Sequence, residues 1–146
     1  MAAKNTDSSG FSSAERQAMN ARARELAAEK RADKKRADGE KAVADAIAQM
    51  TGSDKRLAQR IHELVTKTAP DLWPKTWYGM PAYAREGKVV CFFQAAGKFG
   101  ARYATFGFND TATIDDGSMW PVAFALIDLT PAEEKRITGL LEQARA

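Results

Sequence analysis

The chain contains one cysteine and one histidine. Cys91 cannot close an intramolecular disulfide by itself, and one thiol with one imidazole excludes a cysteine-rich zinc site. Aromatic residues are missing from long stretches: only Phe11 precedes Trp73, and none follows Phe124. No run approaches the roughly 20 apolar residues needed to span a bilayer, and Met1 to Asp7 lacks the apolar stretch of a secretory signal. The chain is therefore read as soluble and cytoplasmic, with no membrane partner. A complete catalytic constellation, a phosphate loop and a metal cage are lacking too, so a binding or accessory role is favoured over an enzyme.

What is present is concentrated in the middle. With 146 residues, 45% of them hydrophobic, the chain is long enough for one domain with a real core plus an appendage. The aromatic cluster between Trp73 and Phe124 must build that core. At about 1.5–3 kcal/mol for each large side chain fully buried, it is the main counterweight to the ordering entropy.

Residues 1–11 are small and polar and are expected to be disordered. Ser12 and Glu15 have capping-box spacing, which opens a helix expected to run to Lys35 or Arg36. This basic helical arm, residues 12–38, has a narrow apolar seam of Met19, Ala23 and Leu26, suited to a homo-oligomer or a partner protein. Asp38-Gly39 is expected to break the helix before a shorter one carrying Val43, Ile47 and Met50. Ser53 is a cap for a further helix with Leu57, Ile61, Leu64 and Val65 on one face. Residues 39–146 form the main domain.

From Trp73 the pattern changes to strands. Pro74 and Pro81 bracket Lys75 to Met80, which suits an edge or a bent entry strand better than a central one. Tyr83 to Arg85 pairs through Glu86-Gly87 with Lys88 to Gln94, and the second of these is apolar on both faces, as a central strand is. Arg102 to Phe108 and Val122 to Ile127 complete the set, and Thr130-Pro131 caps a last helix bearing Ile137, Leu140 and Leu141. The fold class is α+β: an antiparallel sheet of about four or five strands packed against helices, with an N-terminal helical arm.

The segments Lys75-Thr-Trp-Tyr-Gly-Met-Pro-Ala-Tyr83, Val90-Cys-Phe-Phe93 and Tyr103-Ala-Thr-Phe-Gly-Phe108 resemble the YdhG-like family, a domain of unknown function. The likeness runs from about Val43 to Ala144 and leaves the basic arm outside it. It implies helices packed on an antiparallel sheet and no established activity; a frataxin-like iron chaperone role has been proposed for some members.

Four constellations carry candidate chemistry. Cys91 with His62 would be a nucleophile and base, but Cys91 lies in an apolar strand, where burial keeps a thiol inert. Asp110, Asp115 and Asp116 share a loop and could offer oxygens to iron, although no histidine completes a familiar triad. Lys30, Arg31, Lys34, Lys35 and Arg36 form the densest basic cluster and could contact phosphates. Between Glu15 and Lys41, nine basic residues face six acidic ones, an excess equal to the net charge of +3 for the whole chain. The interleaved acids favour a solvated, internally paired face over nucleic acid. Finally, Trp77, Tyr78, Met80, Tyr83 and Trp120 could line a ligand pocket, since tryptophan and tyrosine join an apolar body to a polar handle.

Overall fold

The computed structural model describes residues 12–145, so the expectation for residues 1–11 lies outside it. Among the described residues three helices, α1 (Ser13–Ala48), α2 (Gly52–Thr68) and α3 (Pro131–Ala144), accompany five strands: β1 (Trp73–Trp77), β2 (Met80–Arg85), β3 (Lys88–Gln94), β4 (Ala104–Phe108) and β5 (Ala123–Leu126). This is the expected α+β class. The chain divides into two compact units, one ending at Lys35 and the other beginning at Arg36.

In the first unit the capping box forms at the start of α1. Glu15 N–H donates to Ser12 Oγ at 3.1 Å, and Ser12 N–H donates to the Glu15 carboxylate at 3.4 Å. Arg22 pairs along the helix with Glu25 and Glu29, the internal pairing that the mixed charge pattern implied. Met19, Ala23 and Leu26 are exposed.

α1 does not break at Asp38-Gly39 as expected; it continues to Ala48. The glycine has a different purpose. A methyl group at Gly39 would overlap the Pro74 carbonyl oxygen and stand 3.1 Å from the Pro74 carbonyl carbon, so only glycine lets α1 approach β1 this closely. Beyond it, Val43 and Ile47 are the buried residues of the helix.

The five strands pair in sequence order, each antiparallel to the next. β3 is the middle strand, matching its two apolar faces. The expected strand over Lys75 to Met80 is instead divided by a tight turn: Trp77 pairs with Met80, and Tyr78 and Gly79 have φ of 51° and 75°. Glu86 and Gly87 repeat the device with φ of 53° and 82°. Two successive residues with positive φ match the twist of a two-residue hairpin. The first turn escaped the sequence reading because a tyrosine occupies a position that favours glycine or asparagine.

Alternation sorts the sheet into two faces. Tyr83, Cys91, Phe93, Phe106 and Phe108 join a buried cluster with Ile61, Val65 and Leu57 of α2, Val43 and Ile47 of α1, and Ile137 and Leu141 of α3. A register shift between Tyr83 and Ala84 also turns Val90 into this cluster. Trp77, Met80, Ala82 and Phe92 belong to the other face, where the Phe92 ring lies over Gly107. α2 starts one residue before the expected cap Ser53, at Gly52. α3 begins as read, with the Glu133 carboxylate accepting the Thr130 N–H at 3.0 Å and its hydroxyl at 2.8 Å. Arg60 of α2 clamps Glu134 of α3 through Nε and Nη2, each at 2.7 Å. That clamp holds the Glu134 carboxyl below its ordinary range.

Candidate functional site: a cleft at one end of the sheet

A cleft of about 620 Å³ lies where the end of α1 meets the β1–β2 turn. This is within the usual range for a small-molecule site, ~300–1,000 Å³. One wall is the last turns of α1 and the two residues that follow it, with Ala42, Ala46 and Met50 half-buried as an apolar floor and Asp45 and Gln49 exposed at the rim. Thr51 and Asp54 at the start of α2 make a second wall. Thr76, Gly79, Ala95, Gly97 and Lys98 complete it from the sheet and the β3–β4 connection.

Two sets of hydrogen bonds shape this end of the domain. Both Asp54 carboxylate oxygens accept main-chain N–H groups, from Ala96 at 3.1 Å and Gly97 at 2.9 Å. A carboxylate near the first turn of a helix thus fixes the loop that follows β3. From that loop, Lys98 Nζ reaches across to donate to Gly79 O at 3.3 Å, joining it to the β1–β2 turn. Asp45 is engaged with Lys41 at 3.0 Å. Beside Gly79, Tyr78 is 79% exposed and edge-on to Trp77, with ring centroids 5.0 Å apart. A bulky, exposed side chain in the left-handed region costs on the order of 1 kcal/mol, and such strain clusters at functional sites.

The anticipated aromatic pocket does not assemble. Trp77 and Met80 share one face of the sheet, Tyr83 is fully buried on the other, and Tyr78 projects from the turn. Trp120 packs against the core from the β4–β5 loop, beside Asp115, Asp116 and Arg136 in a separate hollow of about 220 Å³. The structure therefore joins Trp120 to two of the aspartates instead of to the other aromatics. Among the described residues no three His, Cys, Asp or Glu side chains gather where they could hold a metal ion, and Asp110, Asp115 and Asp116 are not brought together as a three-carboxylate cluster.

Cys91 is fully buried, and burial pushes its thiol far up, which keeps it protonated. His62 shares a hydrogen bond of 3.0 Å between Nδ1 and the Tyr83 hydroxyl. Burial holds His62 below its ordinary value, while Glu40 and Glu63 pull it upward. Burial also raises the Tyr83 hydroxyl. The histidine thus satisfies a core tyrosine. Lys30, Arg31, Lys34, Lys35 and Arg36 are exposed on α1, and Arg36 also stands 5.8 Å from the Trp73 ring centroid. Among the described residues no helix is long and apolar enough to cross a membrane.

Sequence reasoning missed the cleft because more than half of its lining is alanine, glycine and threonine, and its polar residues Asp45, Gln49, Asp54 and Lys98 are scattered along the chain without a motif spacing. The one available signal was Tyr78-Gly79, a turn next to a lysine-bearing Gly-Lys-Phe-Gly loop. No protein-family model matches this chain, and neither a curated protein nor a solved structure does.

Proposed function

We propose that this chain is a non-catalytic binding protein of the YdhG-like class and that the cleft between α1 and the β1–β2 turn takes a small ligand. The cleft itself is the observation that carries this reading: about 620 Å³, with an apolar floor and a few placed polar groups. The Trp77-Tyr-Gly-Met-Pro-Ala-Tyr83 segment behind the YdhG-like resemblance is the hairpin that supplies Gly79 to this site. Catalysis is disfavoured because the two classical reactive side chains are committed elsewhere, Cys91 to the core and His62 to Tyr83.

The ligand's polar group would take the place of Gly79 O on the Lys98 ammonium, while its body rests on Ala42, Ala46 and Met50. The test is amide NMR on the full chain during titration with a panel of small carboxylates, amines and sugars. Chemical-shift changes centred on Gly79, Gly97 and Lys98, lost in Ala46→Trp with the fold intact, support the site. Changes centred on other residues, or none across the panel, refute it.

A further inference from the structure

Opposite charges border the smaller hollow without closing on each other. It lies between the β4–β5 loop and α3, at the end of the sheet away from the cleft, because successive links of the meander alternate between its two ends. Arg136, Leu140 and Gln143 recur along α3 at four and three residues and form one stripe of its wall. Ile114, Asp115, Asp116 and Trp120 line it from the loop, and Phe124 from β5. Two hydrogen bonds fix the loop against the helix. Thr113 Oγ1 donates to Gln143 O at 3.4 Å, and Gln143 Nε2 donates to Asp115 O at 3.3 Å.

The interior of the hollow is apolar: Ile114 is buried, and Trp120, Phe124 and Leu140 are half-buried and pack against the core. The Arg136 guanidinium is held beside it, 4.9 Å from the Phe124 ring centroid. Among the described residues Arg136 makes no ion pair or side-chain hydrogen bond, and neither do the carboxylates of Asp115 and Asp116. Elsewhere in the domain the same residue types do close on each other, as Arg60 with Glu134 at 2.7 Å and Arg85 with Asp71 at 2.9 Å.

We propose that this hollow binds a free α-amino acid, with the ligand's carboxylate on Arg136 and its ammonium held by Asp115 and Asp116. A ligand with a single charge meets an opposing one here, since an anion faces two aspartates and a cation faces the arginine. An α-amino acid carries both signs, and its side chain has Trp120 and Leu140 to rest on. The guanidinium fork matches a carboxylate in bidentate geometry. At about 220 Å³ the hollow is smaller than the ~300–1,000 Å³ usual for drug-sized ligands, which suits a molecule of amino-acid size. Two aspartates against one arginine leave an excess of negative charge, so a basic side chain is preferred over an acidic one.

Amide and indole NMR on the full chain tests this, with L-leucine as the first probe. Saturable shifts centred on the Trp120 indole and the Gln143 side-chain amide are expected. N-acetyl-leucine lacks the ammonium and leucinamide lacks the carboxylate, so each should bind at least about tenfold more weakly, the worth of one hydrogen bond to a charged group. Arg136→Gln should weaken L-leucine by a similar factor and leave leucinamide unchanged. Asp115→Asn/Asp116→Asn should weaken L-leucine and leave N-acetyl-leucine unchanged. All three side chains are exposed, so both variants should keep the wild-type spectrum away from the hollow. L-lysine should bind more tightly than L-glutamate. The proposal is overturned if L-leucine gives no saturable shift at these groups, if either blocked derivative binds as well as L-leucine, or if L-glutamate binds more tightly than L-lysine.

Discussion

Replacing Gly39 with alanine sets two rules against each other. In a helix interior, alanine is favoured over glycine by about 0.8–1.0 kcal/mol, so propensity alone makes Gly39→Ala stabilising. The structure reverses the sign. The new methyl would overlap the Pro74 carbonyl oxygen, with the Pro74 carbonyl carbon at 3.1 Å and Lys75 Cα at 3.7 Å. All are backbone atoms of a strand held along its length by β2, so no rotamer change relieves the overlap. Moving α1 away instead would loosen Val43 and Ile47, which are 0% and 6% exposed. Overpacking of this kind costs about 1–3 kcal/mol, and against an obstacle of backbone the upper part of that range applies. After the propensity gain, a net loss of about 1–2 kcal/mol is expected. Gly139→Ala is the control: it also lies in a helix, but its added methyl meets nothing within 4 Å, so it should stabilise by about 0.5–1 kcal/mol. Urea unfolding followed by circular dichroism reads both, with unchanged m-values showing that the midpoint shifts report stability. A Gly39→Ala protein as stable as the wild type would refute the close helix–strand approach.

Other consequences can be checked on the same protein. Cys91 should resist an aromatic disulfide reagent in the native state and react fully once urea unfolds the chain, because burial keeps its thiol protonated and out of reach. Fast native labelling would contradict that burial. His62 is held below its ordinary 6.5 in the fold, so the unfolded chain binds a proton there more readily than the native one. This contribution to stability is complete above 6.5, declines as pH falls toward the lower native value, and then levels off. His62→Gln should flatten that part of the stability profile, and a profile identical to the wild type would contradict the assignment. Glu86→Gly should stabilise the second hairpin by up to about 1 kcal/mol, since Glu86 has φ of 53°; a loss measured in thermal unfolding would mean that the side chain does more than occupy the turn.

Much of the architecture was legible where a residue type has one dominant structural use. Thr130-Pro131 and Ser12 with Glu15 announced their helix starts, and Glu86-Gly87 between apolar runs announced a hairpin. The breakdowns came from residues with two uses. Gly39 signals a helix break or a close approach, and only the position of Pro74, far away in sequence, decides between them. Tyr78 is so disfavoured at positive φ that local statistics argue against the turn it makes, and the hairpin is enforced by the pairing of β1 with β2. The cleft was less legible still. Ala42 and Ala46 look like ordinary helix residues, and Asp54 reads as a surface charge until the β3–β4 loop is folded against it. Composition could not distinguish Trp120 from Trp77, which lie in separate parts of the domain.

The strand order also governs how the domain reaches its fold. Every strand pairs with its immediate successor, and the first two links are two-residue turns, so β1, β2 and β3 can zip together through contacts close in sequence. The β4–β5 link is different, because the chain must organise residues 109–122 before β5 can dock. Loop-closure entropy makes contacts across such a separation slower to form. The meander should accordingly grow from its first hairpin, with β5 the last strand to join and the first to leave.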